Sequence, residues 1–383
     1  AGLGASRMRP RSASRAHVPT ATRRAMSSPS PTLAGERARG TRARDAIACP
    51  SASFRRRWRL HVIATAFALA CVVAASRGGS RSMLSTRVDG DGACAETPGT
   101  WDVEGARKRA DAMATASRDD EDDDAFEILL NTFKRPDLLK RAIKHYAKCR
   151  DVRGIRVVWS EQTDPPTPDD DDGAFFAKRR PGLVKYEAHV GSTSIQNRFE
   201  PIDDLRARAV FNVDEDVRIP CGTLRSGFKL WRKHPETLVG FYARLHAPAK
   251  TPADGCSWRY IANEFELWWR GRYSIVLTKA AFMDRKYLTL YKEHLPEGVR
   301  EYIDKGGGNC EDIAMQFLIA AITRQAPVYA PASLWYYTKA KIGGMNTAGI
   351  SSGANHHVKR GDCITDFQTM FGFERVPLIE RQL

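Results

Sequence analysis

Apolar positions fall into two regimes along the chain. From Phe126 onward, short apolar runs alternate with segments whose apolar residues recur every three to four positions. Phe126-Glu127-Ile128-Leu129-Leu130 has the length of a strand. Pro136 suits a first helical position, and Leu138, Leu139, Ala142, Ile143 and Tyr146 keep helical spacing through Lys148. Ile155–Trp159 is β-branched and aromatic, which predicts a second strand. Ala209–Val213, Leu238–Leu245 and Tyr273–Leu277 read as further strands, and Leu224–Trp231 as a helix. Ile313, Phe317, Ala320 and Ala321 share one face of another helix. Strands alternating with helices predict an α/β layered domain with a largely parallel sheet over 125–383.

Before Phe126 the pattern is different. Leu60–Ser76 is a seventeen-residue stretch with only His61 strongly polar inside it. That is the short end of a bilayer span. Arg55, Arg56, Arg57 and Arg59 crowd its N-terminal side, against Arg77 and Arg81 behind it, so the positive-inside rule puts residues 1–59 in the cytosol and the rest in a lumen. The expected arrangement is a single-pass, type II signal anchor in a Golgi or ER membrane. A cleaved signal peptide ending near Val73-Ala74-Ala75 and a buried core helix are the competing readings. Residues 77–124 read as a flexible stem, closing in the acidic run Asp119–Asp124. No spaced acid-and-glycine loop makes that run a calcium site.

Charge sharpens this picture. The 383 residues carry a formal net charge of +15, which by itself suggests a nucleic-acid binder. Residues 1–59 hold fourteen Arg, no Lys and only Glu36 and Asp45 as acids, so twelve of those charges lie in a tail too poor in aliphatics to form a core. The remainder is nearly balanced, and no nucleic-acid partner is expected. An organelle transit peptide is the alternative for the tail. With 42% hydrophobic and 27% charged residues, the chain as a whole is neither disordered nor collagen-like.

Four segments carry candidate chemistry. Val213-Asp214-Glu215-Asp216-Val217 closes an apolar strand, and on an extended backbone Asp214 and Asp216 face one way while Glu215 faces the other. Two carboxylates at the carboxyl end of a parallel strand can hold a hard divalent cation. An acidic turn with no ligand is the plainer alternative. In Gly306-Gly307-Gly308-Asn309-Cys310-Glu311-Asp312, Asn309 suits an N-cap, and spacing alone favours a capping role for the acids. Ser194–Phe199 and Asn131–Arg135 suit phosphate or base contacts, or ordinary turns.

Taken in order, these segments resemble the exostosin-type glycosyltransferases of family 64. The matching stretches are Leu130–Arg135, Val157–Trp159, Asn197–Phe199, Val213–Asp216, Val239–Phe241, Tyr273–Leu277 and Asn309–Met315, covering about residues 126–375. Ile219-Pro220-Cys221, Ala280-Ala281-Phe282 and Lys286-Tyr287-Leu288 resemble the plant members that act on inositol-phosphoceramide sphingolipids more than the animal heparan-sulfate members. The resemblance implies a GT-A-type, Rossmann-like domain using Mn²⁺ and a UDP- or GDP-sugar, with retention at the anomeric carbon. It implies that Asp214, Glu215 and Asp216 form the metal and nucleotide-sugar motif, with Asp216 the direct metal ligand beside Asp214. It implies that Arg135 meets the phosphates, that Asn197 and Arg198 contact the donor, and that Asp312 and Arg360 are catalytic residues at the sugar. It also pairs Cys310 with Cys363. Glu215 replaces a middle Asp, and Lys279 stands where animal members have Gly. UDP-N-acetylglucosamine, UDP-glucosamine and GDP-mannose are all open as donors, and a glycan or glycosphingolipid as acceptor. An inactive lectin-like protein on the same fold is the rival reading. Trp268-Trp269 and Trp335-Tyr336-Tyr337 are read as core or as sugar-stacking faces, and His356-His357 as loop residues.

Overall fold

The computed structural model describes residues 101–116, 124–167, 182–249, 257–305, 310–331 and 355–383. The expected anchor at 60–76 and residues Trp335–Tyr337 lie outside these. Helix α1 (Val103–Ala116) comes first and was not anticipated. Ala106 and Ala110 are buried, Arg107 donates to the Ile322 and Ala321 carbonyls, and Trp101 packs edge-on against Phe371 and Phe373. The flexible stem expected over 77–124 is corrected for this stretch, because its small-residue composition forms a helix that docks closely on the domain. β1 (Phe126–Thr132), α2 (Pro136–Tyr146), β2 (Val152–Trp159) and β3 (Val184–Ala188) follow. All seven residues of β1 are buried, as a strand covered on both faces requires.

A 3₁₀ turn (Ile195–Phe199) leads to β4 (Ala209–Asp214), α3 (Cys221–Trp231), β5 (Val239–Gly240) and β6 (Ala243–Pro248). The single strand read over Leu238–Leu245 is therefore two strands, which join different sheets. Then come β7 (Trp258–Ile261), α4 (Glu264–Arg270), β8 (Arg272–Tyr273), β9 (Ile275–Val276) and β10 (Ala280–Asp284). The expected strand Tyr273–Leu277 is split in the same way. The chain closes with α5 (Lys286–His294), α6 (Glu297–Lys305), α7 (Glu311–Thr323), β11 (Val328–Tyr329), α8 (His356–Met370) and β12 (Arg381–Gln382).

The central sheet has seven strands in the order β11-β5-β10-β4-β1-β2-β3. It is mostly parallel, with β10 the antiparallel strand between β4 and β5. This mixed α/β architecture fits the expected Rossmann-like domain. Phe126, Phe211 and Phe282 meet at ring distances of 4.6–6.4 Å at its centre. Helix α7 is buried from Glu311 through Ile322, on all sides rather than on the single face its pattern suggested. At Gly361 a Cβ would lie 2.6 Å from the Trp258 carbonyl oxygen, so only glycine lets α8 lie this close to β7. The Cys310–Cys363 disulfide is present, tying the start of α7 to α8 with a Cα–Cα distance of 6.4 Å. A second disulfide, Cys149–Cys221, joins the end of α2 to the start of α3.

Candidate active site

Parallel register lays Asn131, Val158 and Asp214 side by side at the carboxyl edge of the sheet. In open α/β sheets ligands bind beyond that edge. A cavity of about 310 Å³ opens there. β4 stops at Asp214, whose amide donates to the Lys279 carbonyl, and Val217 N–H donates to the Asp214 carbonyl to close a turn. Because the strand ends, side-chain alternation ends with it. Glu215 therefore lines the same cavity as Asp214 and Asp216, which corrects the expectation that it faces away. The three still differ. Glu215 is nearly inaccessible, whereas the side chains of Asp214 and Asp216 remain 25% and 29% exposed, so those two alone present open oxygens.

Each carboxylate has a guanidinium beside it. Lys134 adopts the left-handed backbone region (φ 56°), which turns the chain sharply after β1. Arg135 then caps α2 and aims its side chain back, with Nε 2.5 Å from Glu215 Oε1 and Nη1 3.2 Å from Asp216 Oδ2. Arg198, from the 3₁₀ turn, places Nη2 2.8 Å from Asp214 Oδ1 and Nη1 3.5 Å from Glu311 Oε1. Arg360 Nη2 lies 2.6 Å from both oxygens of Asp312, with its guanidinium 4.7 Å above the Tyr260 ring. The Asp312 carboxylate thus takes an arginine as its main partner, although it sits in the first turn of a helix where capping alone was the simpler expectation.

The electrostatics are those of crowded acids. Burial pushes the Asp214 carboxyl up, with Asp216 adding to the shift and Arg198 opposing it. Burial and the neighbouring Asp214 raise Glu215 to about 7. Glu311 is also raised, chiefly by burial. Lys279 is lowered by burial and by Arg244, and its ammonium sits 4.1 Å from the Tyr242 ring centre. Carboxylates held out of water above their usual range accommodate an added cation readily. Asp214 and Asp216 offer the oxygen-only, partly open donor set that a hard divalent ion takes when substrate oxygens and water complete its shell. The donor set therefore fits the expected Mn²⁺. His145, Cys149 and Cys221 also lie close together, but the two sulfurs are joined in a disulfide, so no thiolate is available there.

Several polar atoms at the cavity are buried without a hydrogen-bond partner among the described residues: Asn131 Oδ1, Thr132 Oγ1, Arg198 Nε and Glu311 Oε2. Such atoms are rare unless something else satisfies them. Their clustering indicates a site shaped for a polar ligand.

Asn197 is the exception among the expected contact residues. It lies behind the cavity wall, donating from Nδ2 to Ser160 Oγ and the Ser192 carbonyl and accepting from Ser192 Oγ. Arg244, Tyr260 and His357 line the cavity without having been singled out for it. His356 and His357 begin helix α8 rather than a loop, and His357 stacks on Tyr260 at 6.1 Å. Trp268 and Trp269 are exposed on α4, neither in the core nor at the cavity.

Residues 126–383 match the Glycosyl transferase family 64 domain. The chain belongs to that family. It is 38% identical over 273 residues to Glycosylinositol phosphorylceramide mannosyl transferase 1 of Arabidopsis thaliana, covering 70% of this chain and 78% of that protein. Glucosamine inositolphosphorylceramide transferase 1 of the same plant is 32% identical over 237 residues, 61% of this chain and 28% of its own length. Human Exostosin-2 is 30% identical over 261 residues, 67% of this chain and 33% of its own. The chain thus spans about a third or less of these last two. As a family 64 member it is a glycosyltransferase.

Proposed function

We propose that this family 64 enzyme is a metal-dependent, retaining glycosyltransferase of GT-A type that moves a sugar from a nucleoside diphosphate sugar to a sphingolipid headgroup. The observation carrying this reading is the pair of partly open carboxylates, Asp214 and Asp216, set at a strand end between Arg135 and Arg198. Asp216 and Asp214 would hold Mn²⁺, which when bound offsets charge on the diphosphate leaving group. Arg135 and Arg198 bind and orient the diphosphate as hydrogen-bond donors with permanent charge. Asn131 and Thr132 line the cavity where the nucleotide would sit.

Asp312 supplies a negative charge beside the sugar, which favours an oxocarbenium-like transition state. Arg360 engages both Asp312 oxygens, which leaves that carboxylate a poor nucleophile. This supports retention by a front-face path, in which the leaving phosphate takes the proton of the acceptor hydroxyl. Mannose is the first choice of sugar, since the mannosyl transferase relative is matched over most of its length. A hexosamine is the second. The acceptor is an inositol-phosphorylceramide type lipid, following the names of the two plant relatives.

Lumenal placement belongs to the same reading, and two disulfides support an oxidising compartment. Among the described residues no helix is long and apolar enough to cross a membrane. Anchoring is assigned to residues 60–76. The test is a donor panel of GDP-mannose, UDP-N-acetylglucosamine and UDP-glucosamine, offered with inositol-phosphorylceramide acceptors and either Mn²⁺ or EDTA. Transfer from one donor, abolished by EDTA, is expected. Equal transfer in EDTA, or none from any donor, would overturn the proposal.

A further inference from the structure

The cavity holds two cations to which the reaction described above gives no role. Arg135, Arg198 and Arg360 each pair with a carboxylate at its wall. Arg244 and Lys279 line the same cavity, yet among the described residues neither has a carboxylate within the 4.0 Å of an ion pair. Arg244 Nη1 donates to the Ala243 carbonyl, a backbone contact that leaves its charge unbalanced. Glu264 shares the small recess beneath α4 with Arg244 without pairing to it.

Lys279 is the more informative of the two. Ala280 pairs with Val213 in the antiparallel β10–β4 ladder, and the Lys279 carbonyl accepts from the Asp214 amide, so the backbone sets Lys279 directly across from Asp214. The ammonium nevertheless turns onto the Tyr242 ring, 4.1 Å from its centre, instead of closing an ion pair with that acid. After burial, Arg244 acts on it most, lowering it, while Asp214, Asp216 and Asp312 act the other way. Two like charges drawn together at a partly closed wall are unfavourable unless an anion joins them.

Their place in the sheet says which anion. Arg135, with Thr132, Val158 and Ser160, stands on the β1–β2 side of β4, where the nucleotide is placed above. Lys279 precedes β10 on the other side of β4, and Arg244 lies on β6 in the second sheet. His357, lowered by burial and then by Arg244, puts that guanidinium near the start of α8, beside the Asp312–Arg360 wall. The two cations therefore face the sugar from the flank away from Arg135, the one left for an acceptor.

We propose that Arg244 and Lys279 form an anion subsite for the phosphodiester of the acceptor headgroup. This rests on the inositol-phosphorylceramide reading above. A phosphodiester is a permanent monoanion with two free oxygens. Arginine offers parallel donors to that pair, and lysine adds a compact charge. A neutral glycan would leave both cations unmatched, so the pair selects for a phosphorylated headgroup.

Calorimetric titration of the full chain, loaded with Mn²⁺ and GDP or UDP, compares the methyl phosphodiester of inositol with free inositol. The native chain should bind the phosphodiester roughly tenfold more tightly, the scale of one hydrogen bond to a charged group. Arg244→Gln and Lys279→Gln should each lose most of that preference, and Arg244→Lys, which keeps the charge but not the paired donors, should retain part of it. Equal native binding of the two probes would overturn the proposal, as would Gln variants that keep the preference. Tighter binding of a methyl glucuronide would also overturn it, by giving the cations to a carboxylate. An equal loss of affinity for the nucleotide itself would do the same, by giving them to the donor diphosphate. The expected preference, with no transfer onto an inositol-phosphate acceptor from any donor, would support the subsite and count against the acceptor reading alone.

Discussion

Arg360 Nη2 sits 2.6 Å from both carboxylate oxygens of Asp312, although 48 positions separate the two residues. Both side chains are buried, at 5% and 8% exposure. Two constraints bring them together: the Cys310–Cys363 disulfide, whose cysteines lie two and three residues from the pair, and the close approach of α8 to β7 at Gly361. The pair is thus the point where α7 and α8 jointly define one wall of the cavity.

Removing one partner of this pair leaves a buried charge uncompensated. Arg360→Met should destabilise the domain by about 3–5 kcal/mol in denaturant unfolding. Adding Asp312→Asn to that variant should recover part of the loss, since the orphaned charge is gone. An Arg360→Met chain as stable as the native one would contradict the burial and pairing of these two charges.

The last turn of α2 holds the segment that follows the three carboxylates. Tyr146 Oη donates to the Val217 carbonyl and accepts from the Ile219 amide, and His145 Nε2 lies 2.7 Å from the Ile219 carbonyl. Cys149–Cys221 ties the end of the same segment to the residues just after α2. Tyr146→Phe should therefore act on the carboxylates at a distance. The expected result is a several-fold weaker Mn²⁺ response with kcat at saturating metal nearly unchanged, and a stability loss of roughly 1–2 kcal/mol for the unpaired buried groups. Metal titration of initial rates reads this directly. A fall in kcat with no change in metal response would assign Tyr146 some other role.

Much of this was legible in the sequence, and the failures share a cause. β1, β2 and β4 announce themselves as short, nearly continuous apolar runs, and α2 by the helical spacing of its buried residues. The split of 238–245 at Phe241-Tyr242 does not, because both halves are apolar and only their pairing with different sheets separates them. Arg135, Arg198, Asp312 and Arg360 were placed at the site through a family resemblance, and the cavity does gather them. Tyr260 and Arg244 lie in no motif of that kind. They reach the cavity through the antiparallel pairing of β6 with β7, a long-range contact that leaves no local trace. α1 escaped notice because its buried face consists of Ala106 and Ala110, too small to register as an apolar stripe.

His246 gives the fold a pH dependence that is separate from the site. It is buried on β6 against Trp258, with Nδ1 2.7 Å from Ser274 Oγ. Burial, with Arg272 nearby, lowers it from 6.5 to about 4. The unfolded chain therefore takes up the proton first, so stability is complete above pH 6.5 and declines as pH falls towards 4. The loss across that window is on the order of 3 kcal/mol. His246→Gln should flatten the profile between those limits in thermal unfolding series. The raised Glu215 and Glu311 carboxyls act in the opposite sense on the native profile, so the difference between the native chain and His246→Gln is what isolates the histidine. A native chain that gains stability relative to the variant on acidification would contradict a His246 held neutral by burial.

The central claim is that Asp214 and Asp216 make donor binding depend on a divalent cation. The most direct measurement is calorimetric titration of GDP and UDP into the full chain, with Mn²⁺ and then with EDTA, for the native protein and for Asp216→Asn. Tight binding of one nucleotide only with Mn²⁺ is predicted, and Asp216→Asn should lose it. The melting temperature of that variant should stay within a few degrees of native, since the side chain is partly exposed at a strand end. Equal nucleotide binding in EDTA, or unaltered Mn²⁺-dependent binding in Asp216→Asn, would contradict the claim.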